Sequence, residues 1–311
     1  MTNSKNAFSR IGLALVAACV SMMAFSRLVL VPYLTSVDMP RLVETLGPSL
    51  TLLLTDIPNV LFLLVFWLVV RRIPKSEWQG ETMSFRSLFQ LFAMMYVVAT
   101  ALNLIGMTIS KASPAGGTEQ LELIGKMVSS GLPVGVLMVV LIAPVVEELV
   151  FRKLMLDRIR NYGEKTAIVF SALCFGLFHG NLTQFLYAFT VGLFLGYVYC
   201  KTGKVRITMV MHGLLNLIST SLMLLAPAMA SGAKGALIVI VMGFMVAVLF
   251  VLGLVQLVRH LKKKDLRTDN SMLTAIPGGE IVKTVYLNPC VMLFVLFCTA
   301  EIVLGLMNIH F

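Results

Sequence analysis

Residues 235–258 read GALIVIVMGFMVAVLFVLGLVQLV, a stretch of 24 residues without one charged side chain. A bilayer's hydrocarbon core is about 30 Å thick and takes roughly 20 helical residues to cross, so this stretch spans a membrane with length to spare. Working outward from it, comparable apolar runs recur at 11–33, 49–70, 87–109, 131–151, 166–180, 182–200, 207–226 and 288–309. Composition agrees: 58% of the 311 residues are hydrophobic and 13% charged, against about 25% charged in soluble domains. The expected fold is all-α, a polytopic transmembrane helical bundle of about eight to nine spans, with any active site between core helices.

Charge sets the expected topology. One group of loops carries Lys5 and Arg10; Arg71, Arg72, Lys75 and Arg86; Arg152, Lys153, Arg158, Arg160 and Lys165; Lys201, Lys204 and Arg206; and Arg259, Lys262, Lys263, Lys264, Arg267 and Lys283. The alternate loops carry only Arg41, Lys111, Lys126 and Lys234. By the positive-inside rule the N-terminus is cytoplasmic and the chain is a multi-pass protein of the cell membrane. The net charge of +10 is thus a topology signal, and no nucleic-acid partner is expected. The first run continues past Arg27 without a small-residue cleavage site and is read as a retained span. Cys19, Cys174, Cys200, Cys290 and Cys298 form no CxxC pair, so neither a disulfide framework nor a zinc knuckle is implied. The organisation read from these features is three N-terminal spans and an external loop over 1–130, a core over 131–226, an eighth span over 227–258, a basic cytoplasmic linker over 259–287 and a last span over 288–311.

Ionisable side chains inside a membrane are costly and mark function by default. Arg27, Asp56 and Glu301 fall in the outer part of their spans, where an ion pair or a short reach to the interface accounts for them. Glu147 and Glu148 differ. They stand together in Ala-Pro-Val-Val-Glu-Glu-Leu-Val-Phe-Arg, residues 143–152. Glu148 and Arg152 form an i,i+4 pair in the favourable order. Glu147 points about 100° away and has no such cation, which suits a general base. His179 ends the fifth run in Phe175-Gly-Leu-Phe-His179, and His212 and Asn216 share one face of the seventh. In lipid each of these polar groups needs a hydrogen-bonding partner.

Glu-Glu-x-x-x-Arg at 147–152, Phe-x-x-x-His at 175–179 and His-x-x-x-Asn at 212–216, in that order on successive helices, resemble the CAAX proteases and bacteriocin-processing enzymes, or Abi family. The resemblance covers about 131–226 and implies an intramembrane endopeptidase acting on a membrane-associated protein or peptide. Carried over to these positions, Glu147 with His179 would activate the attacking water and His212 with Asn216 would stabilise the oxyanion. Glu148, Arg152 and Phe175 would shape the site. No cofactor is expected on this reading; the alternative is a zinc enzyme with Glu147, His179 and His212 as ligands and an open fourth position. The motifs His-Glu-x-x-His, Gly-x-Gly-Asp and Gly-x-Ser-Gly of other intramembrane proteases are absent from the sequence. Two readings of other classes use the same residues: a proton-coupled transporter with a Glu147, His179 and His212 relay, and a catalytically silent peptide-binding or immunity scaffold. The spacing also poses a problem of depth. Taking Arg152 and Lys165 as interface markers, Glu147 lies roughly 7 Å deep and His179 roughly 20 Å, so the fifth span must tilt, start below the interface or follow a re-entrant stretch.

Overall fold

The computed structural model describes residues 2–36, 56–76, 80–114, 137–229, 232–263 and 275–308. Every regular element among them is helical. Helix α1 (Thr2–Phe25) runs on through a wide π-helical turn, Ser26–Leu30, into Val31–Ser36. Helices α2 (Ile57–Val70) and α3 (Phe85–Lys111) follow. Next comes a composite rod: the short α4 (Ala143–Glu148) lies between π-helical stretches Met138–Ile142 and Leu149–Leu156. The rod ends in Asp157–Ile159 and a tight turn at Arg160–Tyr162. Helices α5 (Glu164–Phe178), α6 (Leu182–Thr202), α7 (Val205–Met229), α8 (Ala233–Lys263) and α9 (Pro289–Leu306) complete the bundle.

Among the described residues six helices are long and apolar enough to cross a bilayer: Asn3–Tyr33, α3, α6, Val205–Leu222, α8 and α9. The protein is an integral membrane protein. The eight to nine spans expected from hydropathy are not all present as full-length helices. The second, α2, has 14 residues and the fifth, α5, has 15, both short of the roughly 20 that a perpendicular crossing takes. Residues 49–55 and 131–136, which open the second and fourth expected spans, lie outside the described residues. So do most of the expected external loop at 110–130 and, with Lys264 and Arg267, the middle of the basic linker.

One expectation is corrected. The charge pattern makes residues 152–165 a basic loop, but the chain is helical as far as Tyr162, and Arg152, Arg158 and Arg160 are buried. Buried charge persists only when paired, and here the pairs are in place. Arg158 Nε donates to the Val70 carbonyl at 2.8 Å and Nη1 to the Leu154 carbonyl at 2.7 Å. Arg160 meets Glu164 at 2.8 Å, Lys201 meets Glu164 at 3.3 Å, and Lys153 meets Asp157 at 2.9 Å. Tyr199 donates to the other Asp157 oxygen at 2.5 Å. These bonds fasten the ends of α2 and α6 to the rod.

Above that clamp an aromatic column joins α2, the rod and α5. The ring of Phe62 lies 4.5 Å from Phe178, and Phe151 lies 5.6 Å from Phe178 and 5.2 Å from Phe175. On the far side of the bundle α9 lies along α1. Asn288 caps α9 through the Cys290 N–H at 3.2 Å and donates to Ser9 Oγ at 2.9 Å and the Lys5 carbonyl at 3.2 Å. Arg27, in the π-helical turn that follows α1, approaches Glu301 near the C-terminal end of α9 to 4.0 Å, both partly exposed.

Candidate active site

The first π-helical stretch of the rod, Met138–Ile142, runs into Pro144. In the π-helical register, where the Ala143 N–H reaches the Met138 carbonyl, the Val139 carbonyl falls opposite residue 144. Proline has no N–H to offer. The orphaned carbonyl is taken by Asn216, whose Nδ2 donates to it at 2.9 Å. A buried backbone acceptor must find such a partner, so one proline in the rod fixes one asparagine on α7. Wide turns of this kind recur at functional sites, and one lies on each side of α4 with its two glutamates.

Helix α7 reaches the rod because residue 213 is glycine. A Cβ there would meet the Val140 carbonyl oxygen at 2.6 Å, well inside contact distance. The close crossing brings His212 between the two acids: its Nδ1 lies 3.2 Å from Glu148 and its Nε2 3.6 Å from Glu147. Glu148 and Arg152 are both fully buried, their charged atoms 3.1 Å apart. This is the i,i+4 pair the spacing predicts, although its Nε lies out of line for a hydrogen bond, so the contact is chiefly ionic. Arg152 also donates to Ser171 at 3.2 Å and stacks over the Phe175 ring at 5.1 Å. That ring is the hub of the site, edge-on to His212 at 5.7 Å and to His179 at 4.9 Å.

His179 ends α5, where Gly180 (φ +65°) turns the chain and Asn181 opens α6 by accepting from the Gln184 N–H at 2.8 Å. Its Nδ1 meets the Phe175 carbonyl at 2.8 Å. That contact makes Nδ1 the protonated nitrogen in the neutral ring and leaves Nε2 as an acceptor. The register of rod and α5 is fixed by Ser171, which donates to the Phe151 carbonyl at 2.8 Å. Glu147 lies four residues before Phe151 and Phe175 four after Ser171, so in this antiparallel pair they are level. His179 sits about one turn, roughly 5.4 Å, farther on. The depth problem arises from treating Arg152 as an interface marker; it is fully buried.

Glu147, His179, His212 and Asn216 all line one cavity of about 320 Å³. Glu147 and His179 make no ion pair within 4.0 Å; the histidine that Glu147 meets is His212. The cavity also shows polar groups that the sequence motifs do not mark: Asn103 on α3, and Asn181, Gln184 and Tyr187 at the start of α6. Asn181 and Gln184 were legible as an Asn-x-x-Gln variant of a helix-start capping signal. Asn103 and Tyr187 carry no such signal and stand alone among apolar residues.

The zinc alternative needs three ligands facing one point. Among the described residues no three His, Cys, Asp or Glu side chains do so. Glu147 and Glu148 face opposite nitrogens of one imidazole, and His179 stands apart from both. The arrangement as it stands among the described residues does not fit a three-ligand metal site.

Residues 129–218 match the family described as Rce1-like, type II CAAX prenyl endopeptidase Rce1-like. No curated protein and no solved structure matches the chain. The matched segment is under a third of the sequence, yet it holds Glu147, Glu148, Arg152, Phe175, His179, His212 and Asn216. On that segment the chain is similar to the CAAX-protease-like family.

Proposed function

We propose that the protein is an intramembrane endopeptidase that hydrolyses a peptide bond in a membrane-associated protein or peptide. The observation that supports this best is the convergence of Glu147, His179, His212 and Asn216, from the rod, α5 and α7, on one cavity. In this reading water bound between Glu147 and His179 gives a proton to the Glu147 carboxylate and another hydrogen bond to His179 Nε2. The resulting hydroxide attacks the scissile carbonyl. Glu147 lies beyond hydrogen-bond length from His212, so its oxygen is available to that water.

The developing oxyanion is met by His212 and Asn216. In this reading His212 gives its Nδ1–H to Glu148 and turns its Nε2–H toward the oxyanion, and the Glu148–Arg152 pair holds the ring in place. Asn216 uses one N–H on the Val139 carbonyl and has a second to offer. Donors fixed before the reaction are the effective ones, because no reorganisation is needed as charge develops. When the tetrahedral intermediate collapses, Glu147 returns its proton to the leaving amine. The cell membrane, with the N-terminus on the cytoplasmic side, is the proposed setting.

The test is a comparison of membrane proteomes from cells carrying the wild type and Glu147→Gln. The peptidase reading expects at least one membrane-associated protein cut only by the wild type. Identical peptide profiles under conditions where both proteins accumulate would contradict it.

A further inference from the structure

Glu147 borders two spaces. One is the cavity it shares with His179 and His212; the other is a separate pocket of about 10 Å³ where α2, the rod and α5 meet. The pocket is walled by Phe62, Val146, Phe151 and Phe178, with Asn59 as its other polar side chain. A volume of about 10–15 Å³ accepts one water, provided at least two polar groups hold it, and Glu147 and Asn59 are two. We infer that this pocket is a water site through which the hydrolytic water is resupplied to Glu147 while a peptide fills the main cavity. The inference rests on the peptidase reading.

Three observations carry it. Asn59 is the one amide in the otherwise apolar run of α2, Ile-Pro-Asn-Val-Leu-Phe-Leu-Leu-Val-Phe-Trp-Leu-Val-Val, and such a group inside a membrane helix must be partnered. Its Nδ2 donates to Asp56 Oδ1 at 2.7 Å, which fixes the amide and leaves its carbonyl oxygen and second N–H for a water. The remaining walls are aromatic and aliphatic, so a water there has only Asn59 and Glu147 to bind and lies against the carboxylate that uses it. A peptide lying against His212 and Asn216 fills the main cavity, while Glu147 also lines the separate pocket. Asn59 acts through that water and is a positioning residue.

The experiment uses the purified full-length protein in detergent, with radiolytic hydroxyl labelling to report bound water and peptide cleavage to report turnover. Labelling of Phe62 and Phe178 is expected in the wild type and is lost in Asn59→Leu, which fills the pocket. The same variant lowers kcat roughly tenfold with KM unchanged, a displacement effect on one reactant, and Asn59→Ser, which keeps a polar atom and room, recovers most of it. Asp56→Ala breaks the same side-chain bond without filling the pocket, so it lowers Tm and leaves kcat in place. Wild-type kcat in a folded Asn59→Leu protein, or an equal kcat loss in Asp56→Ala, overturns the inference. Cleavage by a wild type whose Phe62 and Phe178 stay unlabelled overturns the water site alone. Labelling without any cleavage overturns the peptidase reading, and the supply role with it.

Discussion

Glu148 holds Nδ1 of His212 at 3.2 Å while its other oxygen faces Arg152 at 3.1 Å. One carboxylate thus ties the rod to itself and to α7, with all three groups buried. The pairing of Glu148 with Arg152 is local and readable from i,i+4 spacing. Its hold on His212, 64 residues away, is not.

Removing Arg152 leaves the buried Glu148 charge without its cation, a loss of roughly 3–5 kcal/mol for breaking such a pair. Arg152→Ala is therefore expected to lower Tm in detergent sharply, and to lose activity with it. Thermal melts of Arg152→Ala and of Glu148→Gln/Arg152→Leu check this, the double variant being the more stable because no unpaired charge remains. An Arg152→Ala protein as stable as the wild type and yet inactive would point to direct contact with substrate.

Asn216 has two tasks, one in the fold and one in the reaction, and Pro144 separates them. Asn216→Ala orphans the Val139 carbonyl and removes an oxyanion donor, so kcat falls roughly 10²–10³-fold, the scale for one such donor, while KM changes much less. Adding Pro144→Ala supplies a backbone N–H to the rod. The double variant should regain stability over Asn216→Ala without regaining kcat. Recovery of both together would mean that Asn216 serves the fold alone.

Gly213→Ala tests the close crossing of α7 and the rod. With the Val140 carbonyl 2.6 Å from the new methyl group, the helices must separate, at a cost of roughly 1–3 kcal/mol for overpacking. His212 then leaves the two glutamates, and activity should fall more than the drop in Tm explains. A fully active Gly213→Ala enzyme would show that the spacing of His212 is not critical.

How much of the fold and the site is legible in the sequence follows from how far apart the interacting residues lie. Apolar runs reveal the membrane bundle, because a span is a local property of about 20 residues. They do not fix the number of full crossings, because α2 and α5 have 14 and 15 residues in the described structure. Residues 152–165 mislead for a related reason: a charge pattern shows Arg158 and Arg160, but not that Val70 and Glu164 receive them. Spacing groups Glu147, His179, His212 and Asn216, yet which histidine faces which glutamate depends on Pro144 and Gly213, whose effects appear only once the helices cross. Asn59 reaches the site from a helix that carries none of the motifs.

The metal question divides on one preparation. The metal-free mechanism expects the active protein to keep its activity through chelation and to contain no stoichiometric zinc. Stoichiometric zinc whose removal abolishes cleavage, and whose return restores it, would replace the oxyanion role of His212 with a ligand role and require the site to rearrange around His179.

The role of Glu147 as general base is central, and the most direct measurement is single-turnover cleavage of one defined membrane peptide by purified wild type and Glu147→Gln, with Tm recorded for both. The expected result is a folded Glu147→Gln protein of near wild-type Tm whose cleavage rate is lower by roughly 10²–10⁴-fold, the usual loss on removing acid–base assistance. A Glu147→Gln protein that cleaves at the wild-type rate would contradict it.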